Sequence, residues 1–109
     1  MHERESNGSV ISVGRFTVRH DKRKELLMTL NSLSDRIRRE KGCKAYHFYG
    51  DEKVEDAFIL IGEWEKRSDW DRHLSSEYYT ILKGSLGILG NGEGLDFTLM
   101  TRIGPSESP

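Results

Sequence analysis

A chain of 109 residues can bury one modest hydrophobic core and little more, so a single folded unit with at most one site per chain is expected. Apolar residues are only 35% of it and charged residues 32%, a lean balance in which association with a second copy adds stability. Seventeen basic residues against eighteen acidic ones leave a net charge of -1, which excludes the broad basic surface that nucleic acid requires.

Cys43 is the only cysteine. It has no internal disulfide partner and belongs to no Cys/His zinc framework, so a reducing, cytoplasmic setting is expected. The opening "MHERESNGSV" lacks the apolar run of a secretion signal, and no apolar run approaches the roughly 20 residues that cross a bilayer. No membrane is expected as a partner.

Residues 1–9 are polar and read as a flexible N-terminal segment. The β-branched stretch "VISVGRFTVR", residues 10–19, reads as a strand. Asp21 is placed to cap a helix over "KRKELLMTLNSLSDRIRREKG", where Leu26, Leu30, Leu33 and Ile37 recur at helical spacing and share one face. Its basic end (Arg36, Arg38, Arg39, Lys41) complements the exposed carbonyls of a helix C-terminus, and Gly42 suits the turn out of it. "CKAYHFYG" and "AFILIGEW" read as a strand hairpin around the acidic loop "DEKVED". Ser68, with Asp71 three residues on, resembles a capping box for a second helix running to about Lys83. "GSLGILGNGEG", Gly84 to Gly94, carries five glycines and reads as a loop near a pocket mouth. It lacks the Lys-Ser/Thr and following helix of a phosphate-binding loop. "LDFTLMTRI" alternates as a last strand, and residues 104–109 form a tail.

Strand, helix, strand, strand, helix, strand over residues 10–103 is the split βαβ order of an α+β, ferredoxin-like fold: a four-stranded antiparallel sheet with two helices on one face. "AFILIGEW" is apolar on both of its faces, as a strand buried from both sides should be. Two helices cover only one face, so a second copy packing sheet against sheet is expected, a homodimer forming a dimeric α+β barrel.

On one continuous second helix, at about 100° per residue, Trp70, Leu74, Tyr78 and Ile81 form a core stripe, with His73 about 60° to one side of Trp70. Glu77 lies one turn on from His73. Such a pair is either a proton-transfer couple, with the carboxylate orienting the imidazole, or an ordinary helix salt bridge. Asp69, Asp71 and His73 in one turn are too few ligands for a metal, and the two carboxylates suit the helix's first turn instead. Trp64 ends a buried strand, as a core plug or as a flat wall for a planar ligand. His47 shares a strand face with Cys43, Ala45 and Tyr49.

"KGCKAYHFYGDE" and "AFILIGEWEKRSDWDRHLSSEYYTIL", in this element order, resemble the antibiotic biosynthesis monooxygenase family of dimeric α+β barrels over roughly residues 10–103. The most specific likeness is Glu63-Trp64 at a strand end, a short turn, then His73 and the run Ser76, Glu77, Tyr78, Tyr79. The resemblance implies a homodimer with a dry aromatic chamber lined by Trp64 and rimmed by His73. It also implies chemistry with neither metal nor flavin, in which a deprotonated phenol or hydroquinone itself reduces O2 and takes up oxygen. On that likeness His73 is the catalytic base, Trp64 the wall and Glu77 the orienting group, while Trp70, Tyr46, Tyr49 and Tyr78 bind a quinol-like or polyphenolic substrate. Leu60 stands where some oxygenases of the family carry an amide. Lys83 and Gly14 stand where the haem-degrading branch carries an iron-ligating histidine and an asparagine, so haem is a poor fit. Barrels of this kind also serve as small-molecule binding or stress-response modules without turnover.

Overall fold

The structure is a computed structural model and describes residues 8–90 and 95–101. The expected flexible segment 1–9, apart from Gly8 and Ser9, lies outside the described residues, as do 91–94 of the glycine-rich stretch, 102–103 of the last expected strand and the tail 104–109. Four strands, β1 (Val10–Thr17), β2 (Cys43–Gly50), β3 (Ala57–Trp64) and β4 (Asp96–Thr101), form one antiparallel sheet in the order β2-β3-β1-β4. Among the described residues three α-helices are present: α1 (Arg23–Ile37), α2 (Arg67–Leu74) and α3 (Glu77–Leu89). This is the α+β ferredoxin-like fold, with the second helix divided in two.

The core lies between the sheet and the helices. α1 buries Leu26, Leu30, Leu33 and Ile37, the four residues whose spacing predicts its face. They meet Phe16 of β1 together with Phe58, Leu60 and Trp64 of β3, each side chain contributing on the order of 1.5–3 kcal/mol by leaving water. β3 alternates strictly: Phe58, Leu60, Gly62 and Trp64 are buried against the helices, while Ala57, Ile59, Ile61 and Glu63 are only half-buried on the other side. The register places Ile11, Val13 and Met100 on that same open face, so the two-sided apolar strand fronts a face that this chain's helices leave uncovered.

The expected single second helix is corrected. The chain breaks at Ser75 and Ser76, where Ser76 adopts an extended backbone and its Oγ accepts the Tyr79 N–H at 3.2 Å to start α3. Ser76 is thus the working cap, whereas Ser68 lies inside α2 and makes no cap bond. Asp21 does not cap α1 either, because a 3-10 turn, His20–Lys22, occupies the approach. The break changes the helical phase, and Leu74 and Ile81, expected in the core, are 37% and 42% exposed while Leu82 and Leu86 are buried. The glycine-rich stretch is likewise not a loop at its start, since Gly84 and Gly87 lie within α3. Burial of Leu82 and Leu86 as α3 packs on α1 outweighs a propensity cost of about 1 kcal/mol per glycine. Finally, a bulge at Lys44 flips the alternation of β2. Cys43 thereby packs on the core side with Trp64, and only Ala45, His47 and Tyr49 share the open face.

Candidate functional site

Trp64, at the end of β3, is fully buried and anchored by its ring nitrogen: Nε1–H donates to Ser12 Oγ on β1 at 3.2 Å, and the Ser12 hydroxyl donates to the Gly62 carbonyl at 3.4 Å. Only glycine fits at position 62, because a Cβ there would stand 2.8 Å from Ser12 Oγ and 2.9 Å from Trp64 Nε1. The indole is thus held in one orientation.

His73 of α2 stacks on that indole, ring centroids 4.7 Å apart and planes 29° from parallel. Tyr46, Trp70 and Tyr79 close around the imidazole at centroid distances of 6.0, 5.7 and 5.3 Å, and Phe97 of β4 meets Trp70 edge-on at 4.9 Å. Four aromatic side chains from β2, β3, α2 and α3 therefore surround the imidazole, and Phe97 of β4 backs two of them, Trp70 and Tyr79. His73 is 1% exposed. The expected chamber with the histidine at its rim is corrected: the imidazole lies within the core, directly against Trp64.

The partner of the histidine is Glu40, in the turn between α1 and β2. Glu40 Oε1 lies 2.8 Å from His73 Nδ1. A carboxylate only accepts, so Nδ1 carries the hydrogen and donates it, leaving Nε2 with its lone pair. That Nε2 is buried and has no hydrogen-bond partner among the described residues, and the same holds for Tyr46 Oη and Glu40 Oε2. Burial lowers the His73 pKa below its ordinary 6.5, with the Glu40 hydrogen bond acting the other way. Burial likewise pushes the Tyr46 phenol well above its usual range, so it stays protonated, and raises the Cys43 thiol to about 11. The turn is fixed by Gly42 at φ 80°, where a Cβ would collide with the Asp69 carboxylate, and by Arg38, whose Nε donates to the Tyr46 carbonyl at 2.9 Å.

The residues expected at the site divide. His73, Trp64, Trp70 and Tyr46 come together. Glu77 does not pair with His73: it is exposed at the start of α3, and the Ser75–Ser76 break removes the one-turn spacing. Tyr49 is 52% exposed on the open sheet face, and Tyr78 is half-buried on the outside of the helix layer, with the Arg36 guanidinium 5.9 Å from its ring centroid. Glu40, Ser12, Tyr79 and Phe97 are additions. The signal for Tyr79 was Ser76 followed by an acidic residue, a helix start. Glu40 meets its histidine across 33 residues of sequence, which no local pattern encodes.

A hollow of about 190 Å³ on the far side of Glu40 is lined by Asp69, Glu77 and Tyr78. A larger one, about 520 Å³, opens at the β2–β3 hairpin beside Arg15, Lys53 and Phe58. Among the described residues, His20, Glu55 and Asp56 bring ligand atoms within 4.8 Å of one another. Arg23 Nη1 already sits 3.0 Å from Asp56, which makes this group an exposed ion-pair cluster.

The sheet order and helix layer define the class, an α+β ferredoxin-like protein. Residues 9–81, more than half of the chain, match the antibiotic biosynthesis monooxygenase family, and the chain belongs to it. An uncharacterised Synechocystis protein, sll1783, is 29% identical over 70 residues, covering 64% of this chain and 48% of its own length. The chain thus spans about half the length of that curated relative. Rv0793 from Mycobacterium tuberculosis shares the fold at a TM-score of 0.79 and 23% identity, covering 91% of this chain and 99% of that one. SnoaB, a cofactor-independent oxygenase from Streptomyces nogalater crystallised as a point mutant, is similar at a TM-score of 0.75 and 17% identity, covering 92% and 98%. At such identities the likeness establishes fold. No helix among the described residues is long and apolar enough to cross a membrane.

Proposed function

We propose that this chain is a cofactor-independent monooxygenase that takes a quinol-like or polyphenolic aromatic substrate and O2, using neither metal nor flavin. The observation that carries the reading is the Glu40–His73 pair, which presents an unprotonated, unpartnered Nε2 inside an aromatic enclosure. Family membership and the fold shared with a cofactor-independent oxygenase support it.

For the substrate ring to reach Nε2 and Tyr46 Oη, both unpartnered and enclosed, the stack of His73 on Trp64 has to part and admit it. Nε2 takes the phenolic proton, and Glu40, in the orienting role first given to Glu77, stabilises the imidazolium that forms. Tyr46, kept protonated by burial, donates to the developing phenolate. The electron-rich ring reduces O2 and binds it at carbon as a hydroperoxide. His73 returns its proton to the peroxide, and cleavage of the O–O bond with loss of the hydrogen on the same ring carbon releases water and leaves one oxygen atom as a carbonyl, so that the substrate supplies both electrons. Trp64, Trp70, Tyr79 and Phe97 keep water from the intermediate.

A second copy covers the open sheet face in this reading, giving a homodimer with Ile11, Val13, Ile59, Ile61 and Met100 at its interface and Tyr49 beside them. The single, half-buried Cys43 suits a reducing cytoplasm. The stacking of His73 directly on Trp64 favours a second reading, in which the cluster binds an aromatic molecule without turnover.

Oxygen uptake by chelator-treated protein offered hydroquinones or anthrols separates the two. Turnover by the wild type, reduced at least tenfold in His73→Ala and also reduced in Trp64→Phe, is expected. Binding seen as quenched tryptophan fluorescence, with no uptake, would select the second reading.

A further inference from the structure

α2 is lightly held. Its eight residues are too few to stay helical without support, no side chain caps its first turn, and the chain is extended both at Lys66 before it and at Ser76 after it. It buries Asp69, Trp70 and His73, of which only Trp70 is apolar, whereas α1 buries Leu26, Leu30, Leu33 and Ile37. Among the described residues a single side-chain hydrogen bond leaves the helix, from His73 to Glu40. The bonds of Arg67 with Asp71 and of Arg72 with Asp69 stay inside it.

The contact that α2 makes is also poorly satisfied. Four buried polar atoms without a hydrogen-bond partner among the described residues gather there: Asp69 Oδ2 and His73 Nε2 on the helix, and Glu40 Oε2 and Tyr46 Oη on the side chains that face His73. Water would serve all four once the helix moved away, so closure carries a cost that the packing of Trp70 and of the imidazole offsets. What the closed helix covers is the Trp64 indole, on which the imidazole stacks with ring centroids 4.7 Å apart. A planar aromatic molecule would use that same face.

We propose that α2 is a gate: it swings from the sheet about Lys66 and the Ser75–Ser76 break, the His73–Glu40 bond is its latch, and the indole face that the imidazole leaves takes the flat ring of the substrate. The structure holds the shut position, in which the protein's own imidazole occupies the place of that ring. Only the open fraction binds, so the apparent affinity is the intrinsic one reduced by that fraction. Naming the ring as a quinol rests on the oxygenase reading; the movement of α2 does not.

Amide hydrogen exchange of the wild-type chain, followed by NMR, tests the movement, because an eight-residue helix released from its support loses its hydrogen bonds. The amides of Asp71 to Leu74 should exchange at least tenfold faster than those in the middle of α1, and Glu40→Ala should speed them further while α1 is unchanged. Binding of 2-naphthol under nitrogen, read as quenched tryptophan fluorescence, should tighten at least threefold in Glu40→Ala, whereas loss of a merely supporting residue would weaken it. In stopped flow the wild-type binding rate should level off with rising 2-naphthol at the rate of opening. Protection of α2 equal to that of α1, unchanged or weaker binding in the variant, or no binding of 2-naphthol by the wild type in the millimolar range would overturn the gate. Faster exchange throughout α1 would mark the variant as unfolding, and the wild-type exchange and binding rates then decide. Absence of oxygen uptake would end the oxygenase reading and leave the gate standing.

Discussion

Burial of the His73 imidazole ties the stability of the fold to pH. Its pKa is lowered in the folded chain and near 6.5 in the unfolded one, so between those values the unfolded chain binds more protons. The contribution is present in full above about pH 6.5 and is lost as pH falls. Thermal melts from pH 7.5 down to 5 should therefore show Tm dropping below about 6.5, and His73→Phe should flatten that part of the curve. An unchanged slope in the variant would assign the acid limb to other groups. At this scale the sequence was informative about identity and silent about partners. Trp64 and His73 stood out by type and position, but the atoms that orient them, Ser12 Oγ and Glu40 Oε1, come from 52 and 33 residues away. Such partnerships follow from strand register and turn geometry, which composition does not carry.

Periodicity succeeded for α1 because one uninterrupted helix carries Leu26, Leu30, Leu33 and Ile37 on one buried face. It failed for α2 and α3 because a wheel drawn through Ser75–Ser76 assumes a phase that the break resets, so Glu77 was projected beside His73 and Leu74 and Ile81 into the core. The glycines misled for a different reason. Gly84 and Gly87 sit on the outer face of α3, where an added Cβ would meet nothing within 4 Å, so they cost helix propensity without serving close packing. Replacing each with alanine should raise stability by about 0.5–1 kcal/mol, read as a higher Tm, whereas Ser76→Ala should lower it by about 1 kcal/mol through loss of the cap. Destabilisation by the alanines would mean that this face of α3 is covered in solution.

Across the whole molecule, the element order carried the topology, and the four strands pair as that order predicts. The double-sided apolar pattern of β3 also pointed to a covered second face, which this chain leaves half-buried at Ile59 and Ile61. If the proposed homodimer buries that face, Ile61→Glu should shift sedimentation from dimer to monomer and lower Tm, while a wild type that sediments as a monomer would remove the dimer from the reading. The sheet order has one more outcome. β1 lies between β3 and β4, pairing Gly14 with Leu60 on one side and Phe97 on the other. During synthesis β1, β2 and β3 can zip together early, yet one flank of β1 keeps its amides bare until the last strand emerges. Until then Trp70 lacks the ring that Phe97 later sets against it, so the nascent chain has a sticky, unguarded seam beside its own aromatic cluster, one that a chaperone would be expected to find first.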